Sequence, residues 1–167
     1  MIFIIMGVCG SGKSTLGQML SKELGSEFLE GDDFHSPANQ KKMSDGNSLT
    51  ESDRAPWFQG IRKAADQYLS NGETIVVSCS ALSKSGRQIL GTARKEVQLI
   101  FLYASEAILS ERMYKRENHF MPASLLHSQM ETLEEPEPGE AIAVSVDKSP
   151  SDVLKQILSI LNSQYPC

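Results

Sequence analysis

The chain has 167 residues, of which 40% are hydrophobic and 22% charged, and its formal net charge is −5 at pH 7. This length and composition predict one soluble domain spanning residues 1–167. The negative charge argues against broad binding of nucleic acid or anionic membranes. Three cysteines, Cys9, Cys79 and Cys167, give neither a disulfide framework nor a zinc pattern, and no stretch could span a bilayer, so we expect a cytoplasmic protein.

Apolar runs alternate with helical patterns along the chain. The runs predict β-strands at residues 1–6, 27–30, 74–79, 97–103 and 142–147. Helical spacing marks residues 14–24, 50–69 with a capping-box-like start, and 105–116, and a last helix begins with Ser149 as N-cap and Pro150 as first residue. This alternation predicts an α/β fold in which a parallel sheet has helices on both faces. Ligands of such sheets bind at the carboxyl ends of the strands.

A glycine-rich segment follows the first predicted strand. Residues 7–14, GVCGSGKS, fit the phosphate-binding pattern G-x-x-x-x-G-K-[ST]. Glycines allow several backbone N–H groups to point at one anion, and the next helix adds the positive end of its dipole. Lys13 would bind the β- and γ-phosphates, and the Ser14 hydroxyl would bind Mg²⁺. The predicted nucleotide-binding residues are Gly7, Val8, Cys9, Gly10, Ser11, Gly12, Lys13, Ser14 and Thr15. A simple glycine-rich turn would leave the Lys-Ser pair unexplained.

Carboxylates follow the second predicted strand, at Glu30, Asp32 and Asp33. Near a phosphate site, such groups bind Mg²⁺ or accept a proton from an attacking hydroxyl. The third predicted strand runs into Ser78 rather than into the Asp that P-loop ATPases and GTPases use for Mg²⁺. Asp32 is therefore the favoured acidic group, as base and as metal ligand. For Asp33, a solvated turn explains the sequence equally well.

Basic residues form a second candidate group. Arg112 and Arg116 are four residues apart on a predicted helix and share one face. In a phosphoryl-transfer enzyme they would neutralise charge on the transferred group, and residues 117–119 indicate a mobile cover. A solvated helix face is the alternative. Arg54, next to Pro56-Trp57, is a candidate for bidentate binding of a carboxylate.

The phosphate loop and later segments together resemble gluconokinases over almost the whole chain. The most specific segments are Gly31-Asp32 with His35, Asp53-Arg54 with Pro56-Trp57, and SCSAL at 78–82. The resemblance implies a three-layer P-loop kinase fold with a five-stranded parallel sheet and a mobile helical lid at about residues 112–122. It also implies transfer of the γ-phosphoryl group of ATP to the 6-hydroxyl of D-gluconate, with Mg²⁺, by a homodimer.

The resemblance also assigns roles to residues. Asp32 is similar to the residue that orients or deprotonates the sugar-acid hydroxyl, and Arg112, Arg116 and His119 fall in the lid that covers ATP. The implied substrate-binding residues are Asp32, His35, Arg54, Arg87, His119 and Gln129. One segment departs from the family pattern, which usually has Lys-Lys followed by Tyr-Arg-Asp. This chain has SKSGRQ at 83–88, which retains Arg87, so affinity or sugar choice could differ.

Three other functions are compared with the pattern. A shikimate kinase would also need a carboxylate clamp such as Arg54, but the segments at 53–57 and 78–80 favour gluconate. A nucleoside monophosphate kinase would show Asp-Gly-Phe-Pro-Arg near the third strand, and this chain does not. A regulatory nucleotide-binding module needs Lys13 but no positioned base, so Asp32 together with Arg112 and Arg116 argues against it.

Overall fold

A computed structural model describes residues 1–115 and 123–164 of the chain. Within these ranges, five strands form one parallel sheet: β1 (Ile2–Met6), β2 (Glu27–Glu30), β3 (Ile75–Ser78), β4 (Val97–Tyr103) and β5 (Ile142–Ser145). Their order across the sheet is β2-β3-β1-β4-β5. Each strand lies within a segment predicted from its apolar run, and the parallel α/β architecture is confirmed.

Seven α-helices lie in the described ranges: α1 (Lys13–Leu24), α2 (Pro37–Ser44), α3 (Glu51–Ser70), α4 (Lys84–Leu90), α5 (Glu106–Tyr114), α6 (Ala123–Thr132) and α7 (Pro150–Gln164). The apolar patterns predict α1, α3, α5 and α7, although α5 ends at Tyr114, short of residue 116. Thr50 and Asp53 form the expected capping box of α3. The short α2 and α4 have no apolar stripe long enough to predict them.

Hydrophobic clusters cover both faces of the sheet. On one face, α3 packs Trp57, Phe58 and Ile61 against the strands. On the other face, α1 and α7 contribute Leu20 and Ile157, both fully buried. Helices therefore form an outer layer on each side of the sheet, which gives the three-layer arrangement. No helix in the described part of the chain is both long enough and apolar enough to cross a membrane.

The strand order places three connecting segments at one edge of the sheet. β3 pairs with both β1 and β2, so that Ser78 lies opposite Ile5 on one side and Glu30 on the other. Because the three strands are parallel, their carboxyl ends meet. The loop after β1, the 3₁₀ turn Gly31–Phe34 after β2 and the segment 79–82 after β3 are therefore neighbours.

Candidate active site

A cavity of about 330 Å³ opens at the carboxyl edge of the sheet. The loop after β1 lines it with Cys9, Gly10, Gly12, Lys13 and Ser14. Asp32, His35, Arg54 and Gln129 also line it, so the fold brings these predicted residues together. Its remaining wall includes Ser48, Leu49, Trp57 and Ser128. The hydroxyl oxygens of Ser48 and Ser128 lie 2.7 Å apart and form a hydrogen bond. This bond joins the loop before α3 to α6, and no sequence pattern indicated it.

The phosphate loop has the geometry of an anion site. Gly12 precedes α1 with a φ of 89°, a left-handed conformation that glycine adopts without a Cβ clash. No described side chain caps the helix start, so its first N–H groups can bind an anion. The Lys13 ammonium donates to the Val8 carbonyl at 3.0 Å and so lies over the loop. Gly7 and Val8, at the start of the loop, are buried.

Electrostatics near Lys13 favour an anionic ligand. Burial lowers the pKa of Lys13, and the negative charge of Asp32 opposes that effect. A bound phosphate would add further negative charge and favour the protonated ammonium. Burial also raises the pKa of Cys79 to about 12, so this thiol stays protonated and is a packing group rather than a nucleophile.

Asp32 is placed by a close approach between β2 and β3. A Cβ atom on Gly31 would lie 2.1 Å from the carbonyl oxygen of Ser78, so only glycine fits there. The Gly31 N–H donates to Ser78 Oγ at 3.3 Å, and the indole N–H of Trp57 donates to the Gly31 carbonyl at 2.7 Å. Asp32 follows directly, with 68% of its side chain exposed at the cavity. Its carboxylate can accept a proton from a hydroxyl bound there.

His35 lies between Asp32 and Trp57. Its ring stacks on Trp57 with the centroids 4.0 Å apart, and its Nε2 atom is 3.9 Å from Asp32 Oδ1. Nδ1 is buried without a hydrogen-bond partner among the described residues, whereas Nε2 lies on the side of Asp32. Burial lowers the pKa of His35, Asp32 opposes this and Arg54 adds to it, so the ring is neutral near pH 7.

Arg54 and its neighbour Asp53 have different roles at the start of α3. Asp53 accepts from the Lys42 ammonium at 2.7 Å and from the Thr50 N–H at 2.8 Å, which lowers its pKa to about 2. Asp53 therefore stabilises the helix start. Arg54 instead lines the cavity with 19% of its side chain exposed and pairs with Glu51 at 3.2 Å.

Gln129 lies on α6 and reaches the phosphate loop. Its side-chain oxygen accepts the backbone N–H of Cys9 at 2.7 Å. The Cys9 sulfur lies 3.4 Å from the sulfur of Met113 on α5. The loop is thus bound to both helices that flank residues 116–122. Arg116 and His119, predicted as lid residues, lie outside the described residues.

Arg112 lies on the other side of the phosphate loop. It lines a second cavity of about 290 Å³, which Ser11, Thr15 and two further cations also line, namely Lys115 and Lys148. Its guanidinium donates to the Val146 carbonyl. The expected contact of Arg112 with the transferred phosphoryl group stays a prediction, because this conformation directs the guanidinium to the backbone.

The structure does not place Arg87 at the substrate cavity. Its side chain is 2% exposed, pairs with Glu140 at 2.6 Å and donates to the carbonyls of Ala81, Leu82 and Glu134. Ala81 has a φ of 46°, which is unfavourable for a residue with a Cβ, so these bonds hold a strained turn. We therefore correct the expectation of a substrate contact: Arg87 fixes the segment that presents Ser80 and Leu82 to the cavity.

Mg²⁺ ligands were predicted at Ser14 and Asp32, which both line the cavity beside Lys13. No group of three or more His, Cys, Asp or Glu side chains that could hold a metal occurs in the described ranges. Mg²⁺ is commonly held by one or two protein oxygens together with phosphates and water, so a hydroxyl and a carboxylate beside a phosphate site fit it.

Comparison with known proteins agrees with this geometry. A family model described as an AAA domain matches residues 2–136. The chain is 42% identical to a gluconokinase from Gluconobacter oxydans, over 93% of this chain and 88% of that protein. It is 38% identical to a gluconokinase from Arabidopsis thaliana, over 99% and 95% respectively. A crystal structure of a gluconokinase from Sinorhizobium meliloti superposes with a TM-score of 0.87 at 41% identity, covering 97% of this chain and 91% of that one.

Proposed function

Because this chain belongs to the gluconokinase family, we propose that it transfers the γ-phosphoryl group of ATP to the 6-hydroxyl of D-gluconate. The observation that carries this proposal is one cavity that joins a phosphate loop to an exposed carboxylate and an arginine. Lys13 belongs to the phosphate loop, the carboxylate is that of Asp32, and the arginine is Arg54.

The phosphate loop supplies the nucleotide side of the reaction. Lys13 and the N–H groups at the start of α1 bind the β- and γ-phosphates and neutralise charge that develops during transfer. Ser14 and Asp32 would hold Mg²⁺, which neutralises phosphate charge when bound. The second cavity, beside Thr15 and Arg112, receives the remainder of the nucleotide.

The sugar acid binds on the other side of the same cavity. Arg54 binds its carboxylate, and His35 and Gln129 bind its hydroxyl groups. Asp32 orients the 6-hydroxyl in line with the γ-phosphoryl group and accepts its proton. Most of the rate enhancement comes from this positioning and from charge neutralisation, as is usual in phosphoryl transfer.

One kinase domain spans residues 1–167, and its lid, at about 112–122, covers ATP with Arg112, Arg116 and His119. The protein acts as a cytoplasmic homodimer on a small-molecule substrate, without a nucleic-acid or membrane partner. The net charge of −5 supports the last point.

Coupled ADP release tests the function. The assay contains ATP and Mg²⁺ with one of five acceptors: D-gluconate, L-idonate, 2-keto-gluconate, shikimate or AMP. We expect rapid release with D-gluconate. Release only with another acceptor would move the specificity to that compound, and ATP binding without any release would favour a regulatory nucleotide-binding module.

A further inference from the structure

The guanidinium of Arg54 has one ion-pair partner in the described part of the chain. Its guanidinium contacts Glu51, three residues earlier in the first turn of α3, through Nη1 and Oε1 at 3.2 Å. Within residues 1–115 and 123–164, the Arg54 side chain has no other hydrogen-bond or ion-pair partner. The other N–H groups of the guanidinium are therefore available to a ligand in the cavity that Arg54 lines. The contact with Glu51 holds Nη1 beside the first turn of α3.

Glu51 is itself held from a different helix. Its second oxygen, Oε2, accepts from the hydroxyl of Ser85 in α4 and from the hydroxyl of Ser83 at 3.4 Å. The two serine hydroxyls lie 3.1 Å from each other. One carboxylate oxygen of Glu51 therefore contacts Arg54, and the other accepts hydrogen bonds from serines at the start of α4. Glu51 does not line the cavity.

Glu51 remains ionised in this arrangement. The hydrogen bond from Ser85 is the largest cause that lowers the pKa of Glu51, and Arg54 and Ser83 lower it further. Burial opposes the shift, but the net direction is downward. A carboxylate that is charged at neutral pH can orient a guanidinium through a charge-assisted bond, which is stronger than a neutral one.

We propose that Glu51, held by Ser83 and Ser85, is a positioning residue that orients the guanidinium of Arg54 toward the carboxylate of the sugar acid. This inference rests on the proposed function, since it requires Arg54 to bind an anionic group of the acceptor. Glu51 acts only through Arg54 and touches neither substrate. It also links affinity for the acceptor to residues of α4, which lie outside the cavity.

Kinetics of Glu51→Gln and Ser85→Ala test the proposal against two acceptors. Gluconamide replaces the carboxylate of gluconate with an uncharged amide and so does not need the clamp. We expect Glu51→Gln to raise KM for gluconate by about tenfold, with little change in kcat, in KM for ATP or in KM for gluconamide. Ser85→Ala, which leaves the capping residue Ser83 intact, should shift KM in the same direction by a smaller factor. Ser70→Ala, at the exposed far end of α3, is the matched control and should change nothing.

A double-mutant cycle with Arg54→Ala separates positioning from a general structural effect. If Glu51 acts through Arg54, adding Glu51→Gln to Arg54→Ala leaves KM for gluconate unchanged. An equal fold-increase in both backgrounds, or equal losses for gluconate and gluconamide, would overturn the inference while leaving the proposed function intact. Absence of gluconate phosphorylation by the wild-type enzyme would remove both.

Discussion

The side-chain oxygen of Gln129 accepts the backbone N–H of Cys9 at 2.7 Å, so a residue of α6 occupies a donor of the phosphate loop. We expect that loop to bind the phosphates of ATP through its N–H groups. We expect a phosphate oxygen to compete with Gln129 for the N–H of Cys9. Binding of ATP would release the carboxamide of Gln129 into the cavity, where the acceptor binds.

Replacement of Gln129 should affect the two substrates in opposite directions. Gln129→Ala removes the competitor for the Cys9 N–H, and we expect the Kd for ATP to fall by about threefold to tenfold, the equivalent of one neutral hydrogen bond. The KM for gluconate should rise, because a polar contact is lost. Calorimetric titration with ATP and steady-state kinetics measure the two effects. Glu131→Gln, exposed on the same helix, is the control. Weaker ATP binding by Gln129→Ala would contradict the competition.

Asp32 is the proposed base, and Asp33 provides a matched comparison. Asp32→Asn keeps the shape of the side chain but removes its basicity, so we expect kcat to fall by a factor of about 10²–10⁴. Asp33→Asn changes the adjacent residue, which is exposed and does not line the cavity, and should leave kcat nearly unchanged. Equal activity of the two variants in single-turnover measurements would exclude Asp32 from the chemical step.

Gly31 should tolerate no side chain. A Cβ atom there would lie 2.1 Å from the Ser78 carbonyl oxygen, so Gly31→Ala must shift the backbone next to Asp32. We expect a loss of roughly 1–3 kcal/mol in the free energy of unfolding, together with lower kcat. Gly60→Ala in α3 is the control, because its Cβ would lie 3.6 Å from Phe34, an ordinary contact. Denaturant melts of the two variants measure the difference, and equal stability would refute the close-approach argument.

His35 should make the folded state sensitive to mild acid. Burial lowers its pKa in the folded protein below the value of about 6.5 expected for the unfolded chain. The unfolded state therefore binds a proton first, so stability falls as the pH drops below about 6.5 and is unaffected by His35 above it. NMR titration measures this pKa directly, with His35→Gln identifying the resonance. Arg54→Ala should raise the pKa of His35, since the arginine charge contributes to the lowering. A folded pKa above 6.5 would contradict this account.

The sequence predicted the centre of the sheet well because β1, β3 and most of β4 are buried. Runs such as IFIIM in β1 are apolar at every position, which distinguishes them from their surroundings without knowledge of their partners. The phosphate loop and Gly31-Asp32 were predictable for a related reason, since each follows a strand directly. Parallel pairing then brings those segments to the same edge of the sheet.

Contacts between distant segments could not be predicted in this way. The charge of Arg87 favoured a ligand contact, whereas the fold buries it against Glu140 and the carbonyls of a strained turn. Glu51 carried one local signal, its spacing of three residues from Arg54 on a helix. Its bonds to Ser83 and Ser85 depend on the packing of α3 against α4, which apolar periodicity does not encode.

The position of the phosphate on the product identifies the hydroxyl that accepts the γ-phosphoryl group. The wild-type enzyme is incubated with ATP, Mg²⁺ and D-gluconate, and the product is examined by proton-coupled phosphorus NMR. Because we expect the 6-hydroxyl to lie beside Asp32, we predict an ester whose phosphorus couples to the two protons of a methylene group and appears as a triplet. A doublet from a secondary hydroxyl, or the absence of any sugar phosphate, would contradict it.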